Sequence, residues 1–578
     1  MVVTRRMSWL LASTVLGTSL IALPAFAQDA QNQQKMQNEI NSLQQQLQTL
    51  QNQVAQNKAP AGLYNQAPPL VTKGGPAWLT GIQISMGGSF IAMEGAFRER
   101  NEASSGASDP GFGTIPLQNS PLYSENELRF SAQQSRIALK ASGDIDPFQH
   151  VKGYFETDFL GAGVTANSRE SNSYNLRIRQ AYFSYDNDNW HDHFSAGQMW
   201  SLLTQNRTGE LNGSENVPLT IDAQYVAGFN WARQPAIRFV QDWNNVAWFG
   251  VSVESSQTAF ASNGNGVVGG PAIGIPAVGT QTALATPNSG LTVPPGFMVN
   301  PGTSCNASGL LNSTTICSNN VAPDVIEKLA IDPGWGHYEV LGLQRWFTDE
   351  VALANAAGTA FAPGASWNQK TNFGWGVGGN VLLPVVPKYL DLQGSVLTGQ
   401  GIGRYSSSQL ADVAIGPNGS LNPIKSVQFM VGAVGHPFTG NDIYVYYGQD
   451  QTQSNPWTVD KVQGGWGNGA FPNACGALVP GNTDTIGFNG SSALCSANVQ
   501  RVQEITVGFW QDIYKGDLGR ARVGVQYEYV QLNLFTGAAG TIPGASGVTT
   551  AAATAAANTG LHPNNNIVFF SLRYYPFN

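Results

Sequence analysis

"SYNLRIRQAYFSY", residues 173–185, sets Leu176 and Ile178 against Arg177 and Arg179. In an extended chain successive side chains point to opposite faces, so the two apolar residues share one face and the two guanidiniums the other. A half-buried soluble sheet shows the same period of two with its apolar face turned inward. The surrounding sequence decides which face meets water.

That sequence is poor in charge. Only 11% of its 578 residues are Asp, Glu, Lys or Arg, against about a quarter in soluble domains. Gly (66) and aromatic residues (10%) are abundant, and 42% of the chain is apolar, which excludes a disordered polymer. The first residues predict export. Arg5 and Arg6 precede an apolar stretch from Met7 to Leu23, and Ala25-Phe26-Ala27 fits a small-x-small cleavage site. Residues 1–27 are therefore expected to be a signal peptide, and loss of Arg5 and Arg6 moves the net charge from -8 to -10. Beyond residue 27 no apolar run of eighteen or more residues occurs, so a helical membrane span is not expected.

From residue 80 the chain alternates strand-like segments with connections of two sizes. Strands are predicted near 81–98, 125–142, 150–160, 174–186, 193–200, 224–242, 246–256, 322–331, 336–347, 370–382, 388–398, 425–435, 441–450, 500–511, 518–533 and 565–577. Short links such as "NDNWHDH", "WNN", "DPGWG" and "HPFTG" alternate strictly with long loops near 99–124, 161–173, 201–223, 257–321, 348–369, 399–424, 451–499 and 534–564. An even number of strands with all short turns on one side is the layout of an outer-membrane barrel. The expected fold class is thus all-β, a transmembrane antiparallel barrel of about sixteen strands over residues 80–578. In that fold Leu176 and Ile178 face lipid, whereas an arginine facing the bilayer midplane costs about 2–4 kcal/mol. Tyr182, Tyr185, Tyr527, Tyr574 and Tyr575 lie near strand ends, where aromatic girdles belong.

The polar face collects Arg129, Arg136, Lys140, Lys152, Arg177, Arg179, Arg238, Arg520 and Arg522, together with Glu156, Asp158, Asp242, Asp391, Glu504 and Glu528. Parity slips between Arg129 and Arg136, which predicts a bulge near Gln133 to Ser135. Converging cations would focus a positive field and favour small anions; the competing reading is that these charges only pair with one another. Glu99, Glu102, Asp109, Glu210 and Glu215 fall in predicted loops, away from that face. The loop "SLLTQNRTGELNGSENVPLT", with Arg207 near its middle, is a candidate to fold inward and narrow the passage.

Ahead of the barrel, Met36, Ile40, Leu43, Leu47, Leu50 and Val54 form a heptad seam. Residues 28–58 are expected to be a periplasmic coiled-coil helix that joins copies of the chain, and the Pro- and Gly-rich residues 59–79 a linker. Cys305 with Cys317 and Cys475 with Cys495 are the economical pairs among three connectivities, an exported chain permitting disulfides. No Gly-x-Ser-x-Gly or His-Glu-x-x-His pattern occurs, and His191 and His193 sit in a short turn, so neither enzyme chemistry nor a metal site is expected.

In "SRIALKAS", "VKGYFETDFLG", "YNLRIRQAYFSY", "SAGQMWSLL" and "GQGIGRY" the chain resembles the DcaP-like trimeric porins of Gram-negative outer membranes. The resemblance implies a sixteen-stranded trimeric barrel with an N-terminal periplasmic coil, passing small organic anions such as dicarboxylates through a constriction lined by arginines. It carries that role to Arg136, Arg177 and Arg179, then to Arg238 and Arg404. The chain departs from the usual aromatic terminus in ending "RYYPFN".

The expected function is passive diffusion of small hydrophilic solutes, preferably anions, with no cofactor and no nucleic-acid partner. The expected partners are two further copies, outer-membrane lipid and lipopolysaccharide, and the solutes. Three rivals are a general or sugar-selective porin using aromatics such as Trp248, a structural anchor with a periplasmic tether, and a barrel enzyme acting on lipid.

Overall fold

The computed structural model describes residues 82–102, 109–113, 115–116, 121–162, 174–221, 224–260, 293–300, 302–304, 316–355, 361–467, 499–536, 540–541, 554–555 and 562–577. The signal peptide, the seam residues Met36 to Val54 and the linker lie outside the described residues. So do the side chains of Cys305, Cys317, Cys475 and Cys495.

Nineteen strand segments form one sheet, and every pairing in it is antiparallel. They are β1 Ile82–Ser85, β2 Ile91–Arg98, β3 Glu127–Ser131, β4 Arg136–Asp146, β5 Gln149–Ala162, β6 Tyr174–Asn187, β7 Asp192–Trp200, β8 Arg233–Trp243, β9 Ala247–Glu254 and β10 Phe297–Asn300. Then follow β11 Asp324–Ile331, β12 His337–Leu353, β13 Asn368–Val386, β14 Leu390–Gln400, β15 Lys425–Gly435, β16 Asn441–Thr452, β17 Val499–Gly516, β18 Gly519–Leu534 and β19 Asn564–Tyr575. From β4 to β9 and from β11 to β19 neighbours in the chain are neighbours in the sheet, and β9 pairs with β11. The last strand, β19, pairs with β2, Ile91 lying opposite Tyr574, and Tyr575 stands opposite Arg520 of β18, so the "RYYPFN" terminus keeps its register through Tyr575.

Two predicted strands are interrupted. Residues 86–90 separate β1 from β2, and a turn at Ala132–Ser135 separates β3 from β4, where the parity slip was expected. Phe90 and Arg136 rejoin the ladders by exchanging backbone hydrogen bonds of 3.0 and 2.8 Å. A third difference is larger. The strand expected at 224–242 begins only at Arg233, because residues 224–232 belong to a loop packed on the sheet.

All the short connections lie at one end of the sheet, as their lengths predicted. β8 turns into β9 through Asn244, Asn245 and Val246, Trp243 pairing with Ala247, and both asparagines are left-handed at φ 58° and 54°. Asparagine tolerates that conformation better than other side chains do.

The two faces differ in chemistry. One exposes Leu176, Ile178, Phe183, Ile237, Val340, Val377, Val396, Val431, Ile443, Val507 and Val525 over many adjacent strands. The other carries Glu156, Asp158, Arg179, Arg238, Lys328, Arg345, Glu504 and Arg522, all buried. It is not uniformly polar. Trp231, Phe229, Val226 and Ile221 of the loop after β7 pack with Met430, Tyr444, Tyr446, Trp510 and Phe569 of the sheet. Each such large apolar side chain contributes about 1.5–3 kcal/mol on burial. Two of the predicted girdle tyrosines, Tyr182 and Tyr575, lie on this face, Tyr575 against Phe90 at 5.2 Å between ring centres.

Candidate functional site

The loop between β7 and β8 builds the site. It bonds in turn to strands far apart in the sheet, so the sheet curls around it. Near its start, Leu202 N donates to Glu254 Oε1 (2.9 Å) and Asn206 N to Glu339 Oε1 (2.9 Å). Gln205 Nε2 reaches the carbonyl of Val381 at 2.9 Å. Farther on, Trp510 Nε1 donates to the Leu219 carbonyl (2.7 Å), Ile221 N to Gln526 Oε1 (2.7 Å) and Ala227 N to Glu504 Oε2 (2.8 Å). These contacts satisfy backbone groups that would otherwise be buried without partners. A second loop, 401–424, meets the first where Trp231 N donates to the Tyr405 carbonyl at 2.9 Å. Arg345 holds it through Asp324 (3.1 Å) and Asp412 (2.8 Å).

Between the first loop and the wall lies an arginine cluster. Arg177 donates through Nε and Nη2 to the two oxygens of Asp158, at 3.0 and 2.8 Å. Arg179 donates to Glu156 (2.5 Å) and to Asp158 (2.9 Å). Arg136 approaches Glu156 at 3.7 Å and stacks on Phe90. The register explains this convergence. Glu156 is opposite Gln180 and Thr157 opposite Ile178, which leaves Arg179 as the extra residue of a bulge. Arg179 and Gln180 consequently both point to the inner face, while Ile178 before them and Phe183 after them stay outside.

Sequence reading missed the fourth member. Arg233 starts β8 and lies between Trp200 and Trp231, at 5.0 and 5.4 Å from their ring centres. Its Nε and Nη1 are buried and find no hydrogen-bond acceptor among the described residues. It feels the charges of Arg177 and Arg179, and the hydroxyl of Tyr225 bonds to Arg177. The signal that could have revealed Arg233 is its aromatic neighbours in "FNWARQ", but the segment read as continuous strand.

Below the cluster a cavity of about 100 Å³ is lined by Lys140, Lys152, Tyr182, His193, Glu210, Glu215 and Arg238. Arg238 donates to Asn212 Oδ1 (2.7 Å) and to the Trp200 carbonyl (2.5 Å), fixing the loop to β8. Lys152 pairs with Asp186 at 2.7 Å. Glu210 and Glu215 were expected away from the inner face, yet the inward fold of the loop buries both. Burial pushes the Glu210 carboxyl up to about 8, against the pull of Lys328, and raises Glu215 as well. Neither oxygen of Glu210 has a hydrogen-bond donor among the described residues.

The remaining candidates do not join these groups. Arg129 pairs with Glu127 near the long-loop end. Arg520 and Arg522 pair with Asp512, and Arg522 also with Asp442, near the short-turn end. Arg404 sits in the second loop, 3.5 Å from Asp324. Arg207 lies in the turn whose ends pair as Asn206 and Glu215. Trp248 is buried under Gly209 and beside His193, so its ring offers no platform to a sugar.

No known protein family matches the sequence, and neither does any curated protein. Solved structures match the fold. The outer-membrane channel DcaP of Acinetobacter baumannii aligns with a TM-score of 0.51 at 16% identity, covering 86% of this chain and 97% of that one. OmpF of Salmonella typhi (TM-score 0.39, 9% identity, 86% and 98% covered) and OprB of Pseudomonas putida (0.39, 10%, 87% and 96%) are more distant. The chain has the fold of the DcaP channel.

Proposed function

We propose that the protein is an outer-membrane porin through which small hydrophilic solutes, organic anions such as dicarboxylates above all, diffuse down their gradient. In this reading the sheet is the wall of a transmembrane barrel. Counting β1 and β2 as one broken strand, β3 and β4 as another, and β10 as an extension beside β12 reduces the nineteen segments to sixteen strand positions. The apolar outer face supports this placement in a bilayer, where unpaired sheet edges are not tolerated. The signal peptide directs export, and the heptad seam joins three copies on the periplasmic side.

Anion preference rests on one observation. Arg136, Arg177 and Arg179 converge on Glu156 and Asp158, and Arg233 stands beside them with no ion pair among the described residues. Its positive charge lies beside the loop that narrows the passage, in walls of low dielectric that concentrate its field. Arg233 completes the cluster with N–H groups turned to no protein acceptor. A carboxylate in transit can take these donors, Arg forks being matched to its two oxygens.

The test is the reversal potential of the purified protein in a planar bilayer under a salt gradient. The expected outcome is unitary steps with anion preference. A cation preference removes the anion reading, and absence of steps removes the porin one.

A further inference from the structure

We propose that the histidines of the short-turn end form a proton-titrated ring that sets the charge selectivity of the channel, an inference that rests on the porin reading. Four histidines on the inner face each stand between two carboxylates. His150 reaches Asp144 at 2.6 Å and Asp188 at 3.2 Å. His193 reaches Asp186 at 2.9 Å and Asp242 at 3.2 Å. His337 reaches Asp332 at 2.8 Å and Glu339 at 2.9 Å. His436 reaches Asp442 at 2.8 Å and lies 3.6 Å from Asp391. In three of these the imidazole joins the strands or turns on both its sides: β4 to the β6 turn, β6 to β8, and β14 to β16. The clamps are spread round the sheet rather than gathered at one edge.

The arrangement fixes a protonation state. An ionised carboxylate only accepts, so an imidazole with an acceptor bonded at each ring nitrogen, as at His150, His193 and His337, makes both bonds only as the imidazolium. Each of these three clamps then carries two negative charges and one positive. Loss of the proton adds one negative charge per clamp, three in all, on the inner face at one mouth. Other charged groups face the same carboxylates: Lys152 on Asp186, Lys328 on Glu339, Arg522 on Asp442, and His191, 3.3 Å from the Asp242 of the His193 clamp. His193 also shares its cavity with Lys140, Glu210, Glu215 and Arg238, and Glu210 feels His337. A more negative mouth repels the anions that the arginine cluster attracts. Rising pH is thus expected to turn selectivity toward cations.

Reversal potentials at pH 5 to 8.5 test this. Because the Glu210 carboxyl titrates at about 8 and His191 shares Asp242 with His193, Glu210→Gln and His191→Gln are present in every protein compared. On that background the anion-to-cation permeability ratio is expected to fall about twofold or more as pH rises. Replacing His150, His193 and His337 by Gln should hold the high-pH ratio at every pH, and replacing them by Lys the low-pH ratio. Should the threefold variant not fold, His150→Gln alone is expected to remove part of the shift. A conducting channel whose ratio ignores pH, or whose shift survives the Gln replacements, overturns the ring and leaves the porin intact. Absence of conductance at every pH overturns both.

Discussion

Arg179 shows how one residue can be placed by a defect in pairing. Without the bulge opposite Glu156 and Thr157, parity would carry Phe183 to the inner face and Tyr182 to lipid. Arg233 is different, since tryptophans rather than carboxylates surround it. Arg233→Gln removes a charge without breaking an ion pair, so the protein should fold normally. Its anion-to-cation permeability ratio should drop about twofold, as measured by reversal potential. Glu210 supplies a stability prediction. Its carboxyl is held at about 8 by burial, so the folded loop binds a proton that the unfolded chain releases near pH 4.5. The protonated carboxyl's contribution is complete below pH 4.5. It declines by about 1.4 kcal/mol per pH unit up to about 8 and is absent above. Thermal unfolding of Glu210→Gln compared with wild type should therefore show the variant gaining with pH across that window, with no further gain above pH 8.

At the scale of elements, the loop between β7 and β8 is the part that covers the inner face of the sheet and ties its distant strands together. Its closest approach to the wall uses two glycines that face one another across the contact. Gly228, at φ 74°, lies on the Phe429 carbonyl of β15, and Gly448 of β16 lies on the Ala227 carbonyl. A Cβ at either position meets backbone, which cannot yield as a side chain can. Gly448→Val is expected to cost about 1–3 kcal/mol through overpacking, measured by thermal unfolding. It should also release residues 224–232 from the wall, read as raised open-channel noise in the bilayer. The length and glycine content of this loop marked it as a candidate to turn inward. Its anchors were not legible, because Glu254, Glu339, Trp510 and Gln526 are remote in sequence and meet only when the sheet curls.

For the whole molecule the decisive quantity is the contrast between faces. Val431 and Val445 are paired neighbours neither in register nor in chain, yet both stand on the exposed apolar face of adjacent strands. Val431→Arg should cost about 2–4 kcal/mol if that face meets the bilayer midplane. The measurement is folding into lipid vesicles against denaturant; a change near zero would place the face elsewhere. Removal of residues 28–60 should leave the barrel able to fold and conduct, while crosslinking should detect loss of the proposed three-copy assembly. The inner face is drier than a wet lumen lined only by polar groups, since whole apolar clusters pack between loop and wall.

Period-two alternation, segregated connection lengths and scarcity of charge were properties of the chain alone, and they determined the all-β class, turn placement and the direction of Leu176 and Ile178. Local residues decide these, because a strand's faces follow from its own backbone. Tertiary structure alone decided which charges meet. Arg233 joins Arg177 and Arg179, Glu210 and Glu215 turn inward, and histidines 150, 193, 337 and 436 each find two carboxylates, three of them with at least one on a neighbouring strand or turn. Such contacts depend on register between strands and on where a long loop lands, and no local pattern encodes either.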